Sequence, residues 1–92
     1  MNKYKSVPSA KFRRQYKLMK KRGLDMSILK KVVFILEKGE QLPPKYRDHE
    51  LTGNYRGYRE CHLQSDWLLV YKYEHDKLIL SLYRTGTHSD LF

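Results

Sequence analysis

Hydrophobic positions recur along the chain with two different periods, and the switch between them divides it. In the first part Phe12, Tyr16 and Met19 follow the i, i+4, i+7 spacing of one helical stripe. Pro8 stands where a helix can start and Gly23 where it can close. Asp25 is placed to cap a second helix whose apolar set is Ile28, Leu29, Val32, Val33, Ile35 and Leu36, with Gly39 after it. The two helices are expected to form a hairpin, preceded by "KYKSV" as an edge strand. From Pro43 onward the period drops to two. Leu78, Leu80 and Leu82 alternate with Ile79, Ser81 and Tyr83, and "DWLLVYKYE" has the aromatic and β-branched content of a strand. Strands are expected over about 56–63, 67–73 and 77–84, separated by turn signals at "TGN", "QSD" and "EHD". Connections this short force antiparallel neighbours, since parallel ones need crossovers of about a dozen residues.

The pattern predicts an α+β fold: an N-terminal strand and a helical hairpin on one face of a twisted antiparallel sheet, with the other face free for chemistry. A chain of 92 residues has material for one modest core, so one domain over 1–92 is expected. Charge narrows the partners. Nineteen Lys and Arg against ten Asp and Glu leave a formal charge of +9, which favours RNA, DNA, an anionic membrane or an acidic protein. No apolar run approaches a membrane span, "MNKYKSVPSA" lacks the apolar centre of a signal peptide, and the expected compartment is the cytosol. The single cysteine, Cys61, excludes an internal disulfide and is expected as a small core thiol.

Candidate chemistry gathers at the expected strand ends. His49 lies in "YRDHEL", His62 follows Cys61, Asp66 and Trp67 open the middle strand, Arg84 closes the last one, and His88 lies beyond it. Taken singly, each histidine is an ordinary surface or core-edge residue, His75 is a turn residue, and the runs "KFRRQYKLMKKR" and "LKK" are solvated helix faces. A meander brings such termini together, so three imidazoles, a carboxylate and a guanidinium can share one edge. No H-x-x-x-H or C-x-x-C spacing pre-forms a ligand pair and the surroundings are cationic, so no metal is expected. No G-x-S-x-G turn offers a serine nucleophile. Metal-free acid and base chemistry on an anion remains.

The pieces "KYRDHEL", "GYRECH", "SDWLLVYK" and "RTGTHSDLF", in that order and spacing, closely resemble the YafQ family of bacterial toxins in the RelE/ParE superfamily; the likeness covers residues 42–92 in detail and the helical half in pattern. The resemblance implies a ribosome-dependent endoribonuclease that enters the A site of the small subunit against its rRNA, cuts mRNA without a metal or other cofactor, and stops translation. It implies silencing by a cognate antitoxin protein, in a complex expected to bind operator DNA. Carried over, His49, His62, Asp66 and His88 match the family's catalytic set, and Trp67 and Phe92 match aromatic residues around its site.

Elementary chemistry fits that assignment. Cutting RNA without a metal takes a base for the ribose 2′-OH, an acid for the departing 5′ oxygen, and positive charge for the phosphorane. His49 as base and His88 as acid, or the reverse, with Asp66 and His62 assisting, would serve; Arg84, or Lys45 and Arg56, would bind phosphate. Two other classes remain open: a gyrase-inhibiting toxin of the same superfamily, which needs no acid and base pair, and a non-catalytic basic module whose twelve aromatics stack bases. In "RTGTHSDLF", Gly86 is expected to allow a sharp turn that returns His88 over the sheet edge and leaves Leu91 and Phe92 beside the site.

Overall fold

The computed structural model describes residues 2–92. Its elements are β1 (Lys5–Pro8), α1 (Ala10–Lys21), α2 (Met26–Glu37), β2 (His49–Glu50), β3 (Arg59–Gln64), β4 (Trp67–Glu74), β5 (Ile79–Gly86) and α3 (His88–Leu91). Short 3-10 turns at Pro44–Tyr46 and Gly53–Tyr55 flank β2. One five-stranded sheet has the order β1-β5-β4-β3-β2.

Four expectations need correction. The sheet is mixed: β1 does run at the edge, but parallel to β5, because α1 and α2 carry the chain a long way before the meander begins. Pro8 ends that strand instead of starting a helix; Ser9 is the N-cap, its hydroxyl accepting from the Phe12 amide at 2.9 Å. The last strand starts two residues later than expected. Leu78 sits in the turn at φ 52° with half its surface exposed, so it is not the first member of the apolar row. Arg56 to Tyr58, assigned to the first strand, belong to the loop before β3.

The helices form as their caps dictate. Asp25 accepts from the Ser27 amide at the start of α2, and Gly23 follows α1 at φ 86°, where a β-carbon would be strained. Both helices lie on one sheet face and close the main core over Cys61, Leu63, Trp67, Leu69, Tyr71, Leu80 and Leu82. The Cys61 thiol is fully buried, and burial pushes its pKa up, as an inert core thiol requires. The opposite face holds a smaller cluster of Leu68, Val70 and Leu91, flanked by Leu51, Tyr58 and Tyr83. Strand β4 is therefore buried on both sides from Trp67 to Tyr71.

A register shift in the β4–β5 ladder decides what that second face carries. Val70 pairs with Arg84 but Tyr71 pairs with Leu82, so Tyr83 is an extra residue on β5. The alternation inverts there. Leu80 and Leu82 point into the main core, and Arg84 is turned to the side of Val70 instead of following them.

Candidate active site

Glu60 and His62 sit two apart on β3 and so share a face. His49 pairs directly with Glu60 across the β2–β3 ladder, which brings a residue eleven positions earlier onto the same spot. The Glu60 Oε1 atom lies 3.5 Å from His49 Nε2 and 3.7 Å from His62 Nε2. His88, at the start of α3, completes the row: the His62 ring centroid is 6.2 Å from that of His49 and 6.0 Å from that of His88.

Each end of the row has a fixed ring. His49 Nδ1 is 2.8 Å from the Arg47 carbonyl oxygen. A carbonyl only accepts, so Nδ1 carries the hydrogen and Nε2 is presented to Glu60. His88 Nδ1 is 2.9 Å from Asp66 Oδ1, which also accepts from the His88 amide at 3.2 Å. These two bonds hold the Asp66 carboxyl below the usual carboxylate range and leave His88 Nε2 as the nitrogen open to a substrate. His49 and His88 are exposed, His62 is half-buried, and Glu60 is only 5% exposed.

The fold thus brings together His49, His62, Asp66 and His88, as the sequence led one to expect, and adds Glu60, which sequence reasoning missed. A signal was present in "GYRECH": a carboxylate two before a histidine in a strand must share its face. Lys45 lies with Arg47 and His62 along a groove of about 390 Å³. Arg56 is elsewhere, in the largest cavity described, with Asp48, Arg59 and Tyr71. There Arg59 holds Asp48 at 2.8 Å and Tyr71 donates to the same carboxylate.

Besides Arg56, two residues are not placed as expected. Trp67 is 2% exposed, faces the main core, and donates Nε1–H to Thr85 Oγ1 at 3.0 Å; it holds β4 to β5 and presents no ring to solvent. Arg84 faces the site side, but its guanidinium is committed to the tail. Its Nη1 donates to the Leu91 carbonyl and the Tyr55 hydroxyl at 3.2 and 3.1 Å, and Nη2 donates to the Asp90 carbonyl at 3.3 Å.

The tail is a built element. Thr87 and Asp90 form a reciprocal capping box that starts α3. Arg22, one residue past α1, grips the Asp90 carboxylate at 2.9 Å, and with the Thr87 bonds this lowers the Asp90 pKa to about 2. Gly86 is not the turn it was expected to be. It is the last residue of β5, where a β-carbon would stand 2.9 Å from Asp90 Cβ and Oδ2. Leu91 fills the second core, while Phe92 is 57% exposed with its ring edge-on to Tyr55 at 5.2 Å.

Residues 4–92 match the family model described as the YafQ bacterial toxin of type II toxin-antitoxin systems. An mRNA interferase toxin YafQ of Escherichia coli K12 is 44% identical over 85 residues, covering 91% of this chain and 90% of that one. The toxin in the crystal structure of the E. coli DinJ-YafQ toxin-antitoxin complex superimposes with a TM-score of 0.88 at 40% identity, over 98% of each chain. A metal-bound toxin from Helicobacter pylori superimposes with a TM-score of 0.92 at 43% identity, over 97% of this chain and 99% of that one.

Proposed function

The chain belongs to the YafQ family of bacterial type II toxin-antitoxin toxins, and from that premise we propose that it is an endoribonuclease, an mRNA interferase that cuts mRNA in the ribosomal A site by histidine acid and base catalysis. The observation that carries the mechanism is the row of imidazoles at 6.2 and 6.0 Å spacing with a carboxylate against each end. His49 Nε2 takes the proton of the ribose 2′-OH; the 2′ oxygen attacks phosphorus, the bond to the 5′ oxygen breaks, and His88 Nε2 supplies that oxygen with its proton. Exchanging the two roles uses the same geometry. Glu60 stabilises the positive charge that the base gains, Asp66 holds the His88 ring, and His62 faces the phosphate between them. Lys45, beside His62, is the cation best located for the phosphorane; Arg84 acts by holding α3. The base next to the scissile bond stacks on Phe92.

The ribosome supplies what the open site lacks. His49 and His88 are exposed, so a scaffold that fixes the mRNA contributes the orientation that such catalysis depends on. Silencing is assigned to a cognate antitoxin with an acidic segment, drawn by the +9 charge, in a complex that binds operator DNA. No helix among the described residues is long and apolar enough to cross a membrane, in keeping with work on cytoplasmic ribosomes.

The test is purified protein with programmed ribosomes, with the same mRNA free, and with gyrase and supercoiled DNA. New 5′ ends on ribosome-bound message alone are expected; cleavage of neither RNA, or loss of supercoiling activity, would overturn the reading. A substrate with a 5′-thio leaving group, which needs no acid, should restore cutting to His88→Ala and leave His49→Ala slow.

A further inference from the structure

We propose that Asp48, Arg59 and Tyr71 are positioning residues for His49: from the helical side of the sheet they clamp the backbone that decides which nitrogen the base presents on the other side. The catalytic consequence rests on the function proposed above; the state of the His49 ring does not. Side chains alternate along a strand, so Asp48 and Glu50 share the face of Arg59, while His49 pairs with Glu60 on the face of the site. Asp48 Oδ2 accepts from Arg59 Nε at 3.1 Å and from its Nη2 at 2.8 Å, and Oδ1 accepts from the Tyr71 hydroxyl. Arg59 and Tyr71 are themselves a cross-strand pair of β3 and β4. Both oxygens of one carboxylate are thereby tied to two strands of the sheet.

The clamped backbone is of an unusual kind. Arg47, the residue before Asp48, stands at φ 50° and ψ 43°, a left-handed conformation that a residue with a β-carbon keeps only where its surroundings impose it. In that conformation its carbonyl oxygen lies 2.8 Å from His49 Nδ1, the bond that keeps the hydrogen on Nδ1 and turns Nε2 to Glu60. A strand of two residues is too short to impose it. The turn at Pro44–Tyr46 holds Arg47 from one side, through its amide on the Pro44 carbonyl at 3.0 Å, and Asp48 holds it from the other.

The clamp keeps its protons while the site exchanges them. Tyr71 is fully buried, and burial, with the Asp48 carboxylate beside it, drives its pKa upward, so the hydroxyl stays a donor. The bond to Asp48 raises the pKa of Arg59 in the same way. His49 can therefore gain and lose a proton on Nε2 while the carbonyl facing its Nδ1 stays in place. Without the clamp the ring is an exposed imidazole whose hydrogen is free to move to Nε2, where it blocks the lone pair that must take the 2′-OH proton.

The experiment is NMR of the full chain with isotope-labelled histidine nitrogens, which reads the tautomer of neutral His49, beside steady-state cleavage on programmed ribosomes. The unaltered chain should carry the hydrogen on Nδ1. In Tyr71→Phe and in Asp48→Asn it should move mainly to Nε2, with kcat about tenfold lower and KM changed less than about twofold, because a misoriented base costs rate and not binding. Arg59→Lys, which returns one charged donor to Asp48, should recover part of the rate lost in Arg59→Ala. Tyr73→Phe is the control: it removes a hydroxyl from the same strand, one that donates to the Leu36 carbonyl at 2.8 Å, and should leave tautomer and kcat unchanged even if melting falls. Hydrogen that stays on Nδ1 in folded Tyr71→Phe or Asp48→Asn, or a Tyr73→Phe protein as slow as Tyr71→Phe, would overturn the clamp. A changed tautomer with full kcat would overturn its part in catalysis. If Asp48→Asn does not fold, Tyr71→Phe, which keeps its ring in the core, decides. A protein that never cuts RNA refutes the proposed enzyme activity and leaves the tautomer to decide the clamp.

Discussion

The two faces of the sheet are built on opposite terms. On the helical face, side chains from Tyr4 to Leu82 form one apolar cluster, every buried member at most 6% exposed. Across the sheet a smaller buried cluster of Leu68, Val70 and Leu91 is flanked by Leu51, Tyr58 and Tyr83, and beside it stand Glu60, three histidines and Asp66. Burial of apolar area is what stabilises a small domain, so the first face supplies most of the stability. The second can leave imidazoles exposed. Helix α3 serves the second face twice: Leu91 plugs the small core and His88, three residues before it, joins the site.

Trp67→Ala should break the comparison on its stable side. Truncating a buried tryptophan costs about 3–5 kcal/mol, so the midpoint of denaturant unfolding should fall steeply; a variant that unfolds normally but cuts poorly would put Trp67 on the RNA side instead. His88→Ala is the counterpart on the open face. Cleavage should drop by about 10²-fold or more with the melting temperature almost unmoved, because the ring is exposed and buries little. Gly86→Ala should fall between the faces, since its β-carbon would press on Asp90. Overpacking of this kind costs about 1–3 kcal/mol, and by shifting α3 it should slow cleavage as well; thermal unfolding and single-turnover rates check the two effects.

Deleting Phe92 should cost about tenfold in rate, or about 1.4 kcal/mol, with melting within a few degrees, since the ring is largely exposed and Leu91 holds the small core. A normal rate would make the terminal ring passive. The smallest effect concerns Asp90. Its folded pKa of about 2 lies below its ordinary value of 3.8, so its contribution is complete above the ordinary value and is lost as pH falls through the folded one. Asp90→Asn should therefore lower stability by less than about 1 kcal/mol at neutral pH and flatten the acid side of a melting-temperature profile.

Legibility followed the range of the forces involved. Caps and stripes are local, so Asp25, Gly23 and the α2 apolar set announced their helices, and the apolar "WLLVY" run announced β4. Strand β2 was illegible because two residues carry no period; only pairing with β3 makes His49–Glu50 a strand. α3 was equally hidden, its capping box spread over Thr87 and Asp90 in a stretch read as a sharp turn and a return over the sheet edge, not as a helix. Leu78 misled by continuing an alternation that the left-handed turn had already broken.

By itself the sequence determined the α+β class, the two helices, the main strands, the cationic surface and the residue types from which a site is made, because local propensity and alternation act within a few residues. Tertiary structure decided the rest. The register of β2 on β3 set Glu60 between His49 and His62, and the extra residue at Tyr83 turned Arg84 toward the second face. Packing put Trp67 in the core, and Arg22 and Arg84, 62 positions apart, fastened the tail that carries His88. Contacts between residues far apart in the chain exist only once the sheet has closed, so no local pattern could have announced them.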